Sequence, residues 1–156
     1  MLKQKPGIAR IFFALLLLCA LCAMPSGGCG GNAATAGDAQ LRAAMKLLGL
    51  QYGVYLSEKG APPPDEPALR SYLQSRLTVL SDFGVKSVDD LLRPGRDGQP
   101  LKVIYGRKVP LPERPDYVWA AHEQAGVGGK RFACDSRGGV YEITDTEYSQ
   151  QLAGKR

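Results

Sequence analysis

The residues best suited to chemistry lie near the end of the chain, in the stretch GKRFACDSRGGVYEI at positions 129–143. This stretch contains one thiol, Cys134, and the only histidine of the chain, His122, lies twelve residues before it. A thiol nucleophile needs a base within hydrogen-bond distance and a third group that orients this base. A cysteine-dependent enzyme is therefore one hypothesis that the sequence raises.

The expected strand pairing argues against that hypothesis. If the segments that flank the GVGG turn pair as a hairpin, Cys134 lies opposite the segment Trp119–Ala121. His122 then lies nearer to Arg131 or Phe132. Because alternate residues share one face of a strand, Phe132 and Cys134 are expected to pack together on a helix. We therefore predict a buried, unreactive thiol and no enzymatic activity.

The GVGGKR segment does not match a phosphate-binding loop. Gln124 stands where the first glycine of a P-loop is required, Arg131 stands where serine or threonine is required, and a strand is expected to follow. Zinc is excluded on other grounds, because one histidine and one internal thiol cannot supply four ligands. No nucleotide or zinc site is predicted.

Calcium is a separate case, because its usual ligands are oxygen atoms such as those of carboxylates. Asp135, Glu142 and Asp145 are candidate calcium ligands, but their spacing does not follow an EF-hand. We expect them to be solvated residues of turns and strand faces. Asp97, in the sequence RDG, is likewise expected to be a turn residue. The sequence thus predicts neither a metal nor a cofactor.

The first 28 residues have the pattern of an export signal. Lys3, Lys5 and Arg10 form a basic segment, and the apolar run IFFALLLLCALCAM follows at Ile11–Met24. The run has 14 residues, whereas a helix that crosses a bilayer needs about 20. A short apolar run behind a basic terminus is typical of a signal peptide, and residues 1–28 are predicted to be one.

The end of this signal indicates how the protein is retained in the cell envelope. The sequence SGGC resembles the lipobox of bacterial lipoproteins, although Ser26 stands where an apolar residue is usual. The resemblance implies that Cys29 is lipidated and becomes the first residue of a membrane-anchored protein. Residues 29–37 are then a flexible tether. The alternative is cleavage after Ala36, at the motif ATA, which would release a periplasmic or secreted protein.

Removal of the signal changes the charge and the number of cysteines. Three of the 20 basic residues lie in the signal, which leaves 17 against 15 acids and lowers the net charge from +5 to +2. Nucleic-acid binding normally needs a clustered basic face, so it is not predicted. Cys19 and Cys22 leave with the signal, and Cys29 is assigned to the lipid. No internal disulfide is expected, and residues 38–156 are predicted to form one domain.

The residue pattern in the first part of this domain predicts a long amphipathic helix. Asp38 is a favourable N-cap for about five turns that begin at Ala39. Gly49 and Gly53 lower the helix propensity, and they are expected to permit the close approach of a neighbouring segment. Gly60 is expected at the position that follows the helix.

Shorter helices are predicted at three further places. One begins near Asp65 and places leucines of ALRSYLQSRLTVL inward. A short VDDLL helix begins with a capping box formed by Ser87 and Asp90, and a terminal DTEYSQQL helix begins with Thr144 and Glu147 in the same arrangement.

The second half of the domain has the alternation and turn residues of β-structure. Four strands are predicted, at Leu101–Tyr105, Tyr117–His122, Lys130–Asp135 and Val140–Thr144. The segment RKVPLPERP between the first two is predicted to be a loop that its prolines keep extended. The predicted fold is therefore α+β, with a long N-terminal helix and short helices followed by an antiparallel four-stranded meander.

Several segments of the chain resemble parts of a known protein family. The sequence AAMKLLGLQYGVYLSEKGAPPPDEPALRSYL is similar to the segment that follows the transmembrane part of type II secretion pseudopilins. The sequences LLRPGRDGQPLKVIYG and VGGKRFACDSRGGVYEIT resemble later parts of pseudopilin-like exported proteins of the planctomycete type. The resemblance covers about residues 38–152 and implies a pseudopilin-like fold. In the chain, however, no acidic residue follows Gly7 as in prepilins, and the turn at Asp135–Gly138 is longer.

These features lead to three functional hypotheses. The first is an exported lipoprotein whose domain, reused on a lipid anchor, binds another envelope protein or a surface polymer without catalysis. The second is a minor pseudopilin-like subunit of a secretion or pilus machine, which would retain the apolar segment Ile11–Met24. The third is the cysteine-dependent enzyme described above.

Overall fold

A computed structural model describes residues 36–93 and 95–153 of the chain. Helices occupy its first part and antiparallel strands its second part, which confirms the predicted α+β class. The predicted signal peptide (1–28), Cys29 and the tether up to residue 35 lie outside the described residues. None of the helices that the structure describes is both long enough and apolar enough to cross a membrane.

The first helix, α1, covers Ala36–Lys59. It begins three residues before the predicted start, so Asp38 lies in its first turn rather than at the N-cap. A carboxylate in the first turn still interacts favourably with the positive end of the helix dipole. Gly60 follows the helix with φ +73°, the left-handed conformation that was expected at this position. The buried face of α1 includes Leu41, Met45, Leu48 and Tyr52.

Three short helices follow, α2 at Glu66–Ser75, α3 at Leu77–Ser81 and α4 at Val88–Leu91. Asp65 caps α2, because its side chain accepts a hydrogen bond from the Ala68 amide at 2.9 Å. The predicted second helix is interrupted at Arg76, which separates α2 from α3. The capping box of Ser87 and Asp90 is present at the start of α4, as predicted.

The strands of the described chain are β1 at Lys102–Val103, β2 at Pro110–Leu111, β3 at Arg114–His122, β4 at Lys130–Asp135 and β5 at Val140–Thr144. The predicted bounds of β4 and β5 are confirmed, whereas β1 is shorter than predicted. The segment predicted as a loop contains β2 and the first residues of β3. Pro110 and Pro115 are compatible with these strands because proline is tolerated at sheet edges and strand starts.

All strand pairs are antiparallel, and the order is β1-β3-β4-β5, with β2 also paired to β3. After β5, α5 covers Asp145–Tyr148 and continues into a π-helical turn at Ser149–Ala153. The predicted capping box of Thr144 and Glu147 is present at the start of α5.

The sheet has a hydrophobic core on each face. The larger core lies between the sheet and helices α1–α4 and contains Tyr52, Phe132 and Cys134. The smaller core contains Trp119 and Ile143, together with Leu152 from the terminal turn. A helix on a sheet buries its apolar stripe in this way, and burial of each large side chain contributes about 1.5–3 kcal/mol.

Gly49 and Gly53 bring α1 into direct contact with the backbone at the end of β4. A Cβ atom at Gly49 would lie 2.2 Å from the Asp135 carbonyl oxygen, and one at Gly53 would lie 1.9 Å from the Ser136 carbonyl oxygen. The expected close approach at these glycines is therefore confirmed.

Candidate functional site

The structure places Cys134 and His122 on opposite faces of the sheet. Cys134 pairs with Ala121, as predicted, and His122 pairs with Ala133. Adjacent residues of a strand point to opposite faces. Cys134 lies in the core under α1, whereas Ala133 belongs to the smaller core and the His122 ring contacts the Tyr148 ring at 5.0 Å. The thiol and the imidazole therefore do not form a catalytic dyad.

The predicted neighbours of His122 were wrong by one or two residues. The prediction placed it near Arg131 or Phe132, but its partner is Ala133. The pairing is centred between Val127 and Gly128, in the middle of the predicted turn, and a hairpin centred there places Ala133 opposite His122.

Burial makes both groups poor reagents. Cys134 is 0 % exposed, and burial raises the pKa of its thiol to about 12. Because the thiolate is the nucleophilic form, almost none is present at neutral pH. Burial also lowers the pKa of His122, whose Nδ1 lies 2.7 Å from the Glu123 carbonyl oxygen. A neutral, enclosed imidazole and a protonated, enclosed thiol are structural groups.

The three candidate calcium ligands lie apart and have different partners. Asp145 accepts a hydrogen bond from Arg131 Nη2 at 2.8 Å, and Glu142 accepts one from Arg96 Nη1 at 2.9 Å. Asp135 and Asp145 lie at opposite ends of the β4–β5 pair, roughly 20 Å apart at about 3.3 Å per residue. Among the described residues, no three Asp, Glu, His or Cys side chains are grouped to hold a metal ion.

Asp135 organises the turn between β4 and β5. Its Oδ1 accepts hydrogen bonds from the amides of Arg137 at 2.8 Å and Gly139 at 2.9 Å, and its Oδ2 accepts one from the Tyr141 hydroxyl at 2.8 Å. Tyr141 in turn contacts Trp119 edge to face, with 5.4 Å between the ring centroids. The expected turn role applies to Asp135, but its side chain is only 1 % exposed rather than solvated.

The most enclosed ionic group is Glu123, which the sequence analysis did not identify. It is 0 % exposed, and its Oε2 accepts hydrogen bonds from Arg96 Nη2 at 2.9 Å and from the Phe132 amide at 2.7 Å. Charge-assisted hydrogen bonds of this kind compensate for the loss of water around a buried carboxylate. Arg96 and Glu123 are 27 positions apart, so no local sequence signal could have indicated the pair.

Arg96 also lies over the aromatic ring of Phe132. Its guanidinium carbon lies 3.6 Å from the centroid of the Phe132 ring, and that of Arg42 lies 3.9 Å from the same centroid. Because both cations lie over one ring at these distances, they occupy its two faces, and each forms a cation–π contact. This stack joins the beginning of α1 to the turn that precedes β1.

Asp97 holds the same turn to the β3–β4 hairpin. Its Oδ1 accepts a hydrogen bond from the Gln99 amide at 3.0 Å, and its Oδ2 accepts bonds from the amides of Ala125 at 2.7 Å and Gly126 at 2.9 Å. Burial tends to raise the pKa of Asp97, but these hydrogen bonds outweigh it and lower the pKa. The predicted turn role is confirmed, and the contact with the hairpin is an addition to it.

A broad depression lies beside the second half of α1. This α1 groove has a volume of about 550 Å³ and is lined by Leu50, Gly53, Val54, Leu56, Ser57, Glu58, Asp116, Ser136 and Arg137. Leu50 and Val54 are each 36 % exposed, which is unusual for the large apolar residues of this domain. Grouped exposed apolar side chains within a polar rim are typical of protein-binding surfaces.

A smaller cleft of about 290 Å³ lies on the other face of the sheet, between the β2–β3 turn and β5. Trp119 and Tyr141 line this cleft, together with Glu113 and Arg114. The indole Nε1–H of Trp119 is buried and has no hydrogen-bond partner within the described chain. The carboxylates of Glu113, Glu142 and Glu147 also line this cleft, whereas Cys134 and His122 do not.

Comparison with known proteins gives no independent guide to this chain. It matches no family model, no curated protein and no solved structure. The resemblance to pseudopilin-like lipoproteins therefore stays a prediction.

Proposed function

We propose that this protein is an exported lipoprotein, anchored through Cys29, whose α+β domain binds another envelope protein and catalyses no reaction. The anchor follows from the basic and apolar signal pattern and from the lipobox resemblance, and both lie outside the described residues. The binding role follows from the geometry of the domain.

The observation that carries the binding role is the separation of the reactive groups. Cys134 and His122 lie on opposite sheet faces, and Glu123 and Asp135 are occupied by internal hydrogen bonds. Catalysis requires such groups to converge on one accessible point. These groups instead take part in internal packing and in turns, which supports a binding role for the surface of the domain.

The α1 groove is the surface that we assign to the partner. Its apolar lining is aliphatic, from Leu50, Val54 and Leu56, and aliphatic side chains match the apolar residues of a protein. The rim carries charges of both signs, Asp116 and Arg137, which favours a specific orientation over indiscriminate adhesion. We therefore prefer an envelope protein to a surface polymer as the partner.

Site-specific photo-crosslinking in intact cells tests this assignment. A benzophenone amino acid at Leu50 should give one adduct of defined mass, and the additional substitution Val54→Arg in the same chain should remove that adduct. The same probe at Val79 is the control, because Val79 is 57 % exposed but does not line the groove. Identical adducts from both positions, or an adduct that tolerates Val54→Arg, would contradict the assignment.

A second candidate function is a minor subunit of a secretion or pilus machine with a pseudopilin-like fold. The packing of α1 along an antiparallel sheet favours it, because the pseudopilin resemblance implies a long N-terminal helix on a four-stranded meander. This function requires that the mature protein retain Ile11–Met24. Co-purification of the retained form with filaments would support it, and a mature protein that lacks this segment would exclude it.

A further inference from the structure

We infer that the end of the domain at the start of α1 faces a lipid bilayer and contacts it through two exposed apolar residues, Val127 and Phe83. The partner is the lipid surface itself. The inference rests on the proposed anchor at Cys29, and it adds an orientation: the membrane lies at one end of α1 and the α1 groove lies towards the other end.

The packing of α1 on β4 identifies this end. Arg42 lies over Phe132 near the start of β4, whereas Gly49 approaches Asp135 at its end. The helix and the strand therefore run in the same direction. The β3–β4 turn, which immediately precedes β4, consequently lies beside the beginning of α1.

Val127 is at the tip of that turn and is 51 % exposed. Gly126, Gly128 and Gly129 around it all have positive φ, a conformation in which glycine is unstrained. The turn is held in place, because Asp97 accepts hydrogen bonds from its first amides. An apolar side chain is thus presented at a fixed, protruding position.

Phe83 lies in the same half of the molecule and is 65 % exposed, the most exposed of the large apolar side chains in the described chain. It borders a depression whose other wall is formed by Gln40, Ala43 and Ala44, in the first half of α1. Its turn includes Gly84, with φ +80°. Like Val127, it is a single apolar side chain on a turn, which suits a fluid surface without a fixed shape.

The length of the chain places the lipid within reach of this end. Cys29 lies seven positions before Ala36, and seven extended residues span at most about 25 Å. An anchor at Cys29 would therefore confine the start of α1 near the bilayer. This confinement raises the effective concentration of the lipid surface around the domain, so that weak contacts between them become populated.

Charged residues accompany these two apolar side chains. Lys130 follows the β3–β4 turn, Lys102 lies further along the sheet opposite His122, and the acidic Asp82 precedes Phe83. The two lysines are exposed and form no ion pair with another residue of the described chain. Apolar side chains beside lysines bind membranes more strongly when the lipids are anionic.

Fluorescence of the full lipidated protein in vesicles tests the inference. Three variants, Val127→Cys, Phe83→Cys and Val54→Cys, each carry an environment-sensitive label at the new thiol. The native Cys134 does not interfere, because it is fully buried. Val54 is the matched control, an exposed apolar residue that lines the α1 groove. The vesicles contain phosphatidylethanolamine and phosphatidylglycerol, with and without a spin-labelled lipid.

Labels at positions 127 and 83 are expected to shift their emission to shorter wavelength and to be quenched by the spin-labelled lipid, whereas the label at 54 keeps the emission it has in water. Equal quenching at all three positions, or none, would overturn the orientation. If the emission shifts occur in native membranes but not in pure lipid vesicles, the two residues contact a membrane protein and not the lipid. The intact mass of the same samples distinguishes failure of the orientation from failure of the anchor, because a protein without acyl chains would refute the anchor itself.

Discussion

Replacement of Gly49 by alanine reverses the usual effect of such a change in a helix. In an exposed helix interior, alanine is more favourable than glycine by about 1 kcal/mol. At Gly49, however, the new Cβ would lie 2.2 Å from the Asp135 carbonyl oxygen. The obstacle is backbone, which cannot rotate away as a side chain can. The helix must therefore move away from the sheet.

The size of this movement sets the expected loss of stability. The Cβ–oxygen distance must increase from 2.2 Å to about 3.4 Å before the contact is ordinary. A displacement of this size loosens the packing of Leu48 and Tyr52, which are 0 % exposed. Overpacking in a core costs about 1–3 kcal/mol. With an unyielding backbone we take the upper value, and after the gain in propensity the net destabilisation is about 2 kcal/mol.

Thermal and urea unfolding of the purified domain measure the effect. A loss of about 2 kcal/mol lowers the Tm of a domain of this size by roughly 6–10 °C. Ala43→Gly, at an exposed position of the same helix, is the control for propensity and should cost about 1 kcal/mol. Gly49→Ala variants that are as stable as the native protein, or more stable, would refute the close packing of α1 on β4.

Three further predictions concern the buried groups. Glu123→Gln should lower the free energy of unfolding in urea by about 3 kcal/mol, because it breaks a buried ion pair. The control Glu142→Gln should cost less than about 1 kcal/mol, because the Glu142 side chain is 34 % exposed. Equal losses in the two variants would contradict the enclosed Arg96–Glu123 pair. In the folded protein, Cys134 should resist iodoacetamide at neutral pH and react only after unfolding, because burial raises the pKa of its thiol to about 12. Rapid labelling of the folded protein would support the enzyme hypothesis instead. Because burial lowers the pKa of His122 below its ordinary value, the unfolded state gains a proton that the folded state does not bind. The contribution of His122 to stability should therefore be constant above about pH 6.5 and should fall below it, towards the pKa of the folded state. His122→Gln should remove this part of the pH dependence, and an unchanged slope would show that another group causes it.

Local chemistry was enough to predict several elements. The capping boxes at Ser87 and Thr144 are formed by residues three positions apart, so the sequence contains the whole motif. The bounds of β4 and β5 follow from glycine-rich turns on either side of alternating apolar residues. Gly49 and Gly53 stood out for a similar reason, since glycine inside an amphipathic helix needs a packing explanation.

Contacts between distant residues could not be predicted in this way. The Arg96–Glu123 pair and the stack of two arginines on Phe132 join segments that only the folded chain brings together. The β2 strand was missed because its prolines suggested a loop, although a sheet edge tolerates them. The α1 groove was missed as well, because its lining comes from α1, from β3 and from the β4–β5 turn, which are far apart in sequence.

The intact mass of the mature protein from the membrane fraction tests the central claim most directly. An anchored binding protein predicts a chain that begins at Cys29 and carries acyl chains, with Cys29→Ser abolishing both the acyl mass and the membrane association. A soluble protein that begins at Gly37, or a membrane-bound one that still contains Ile11–Met24, would contradict it.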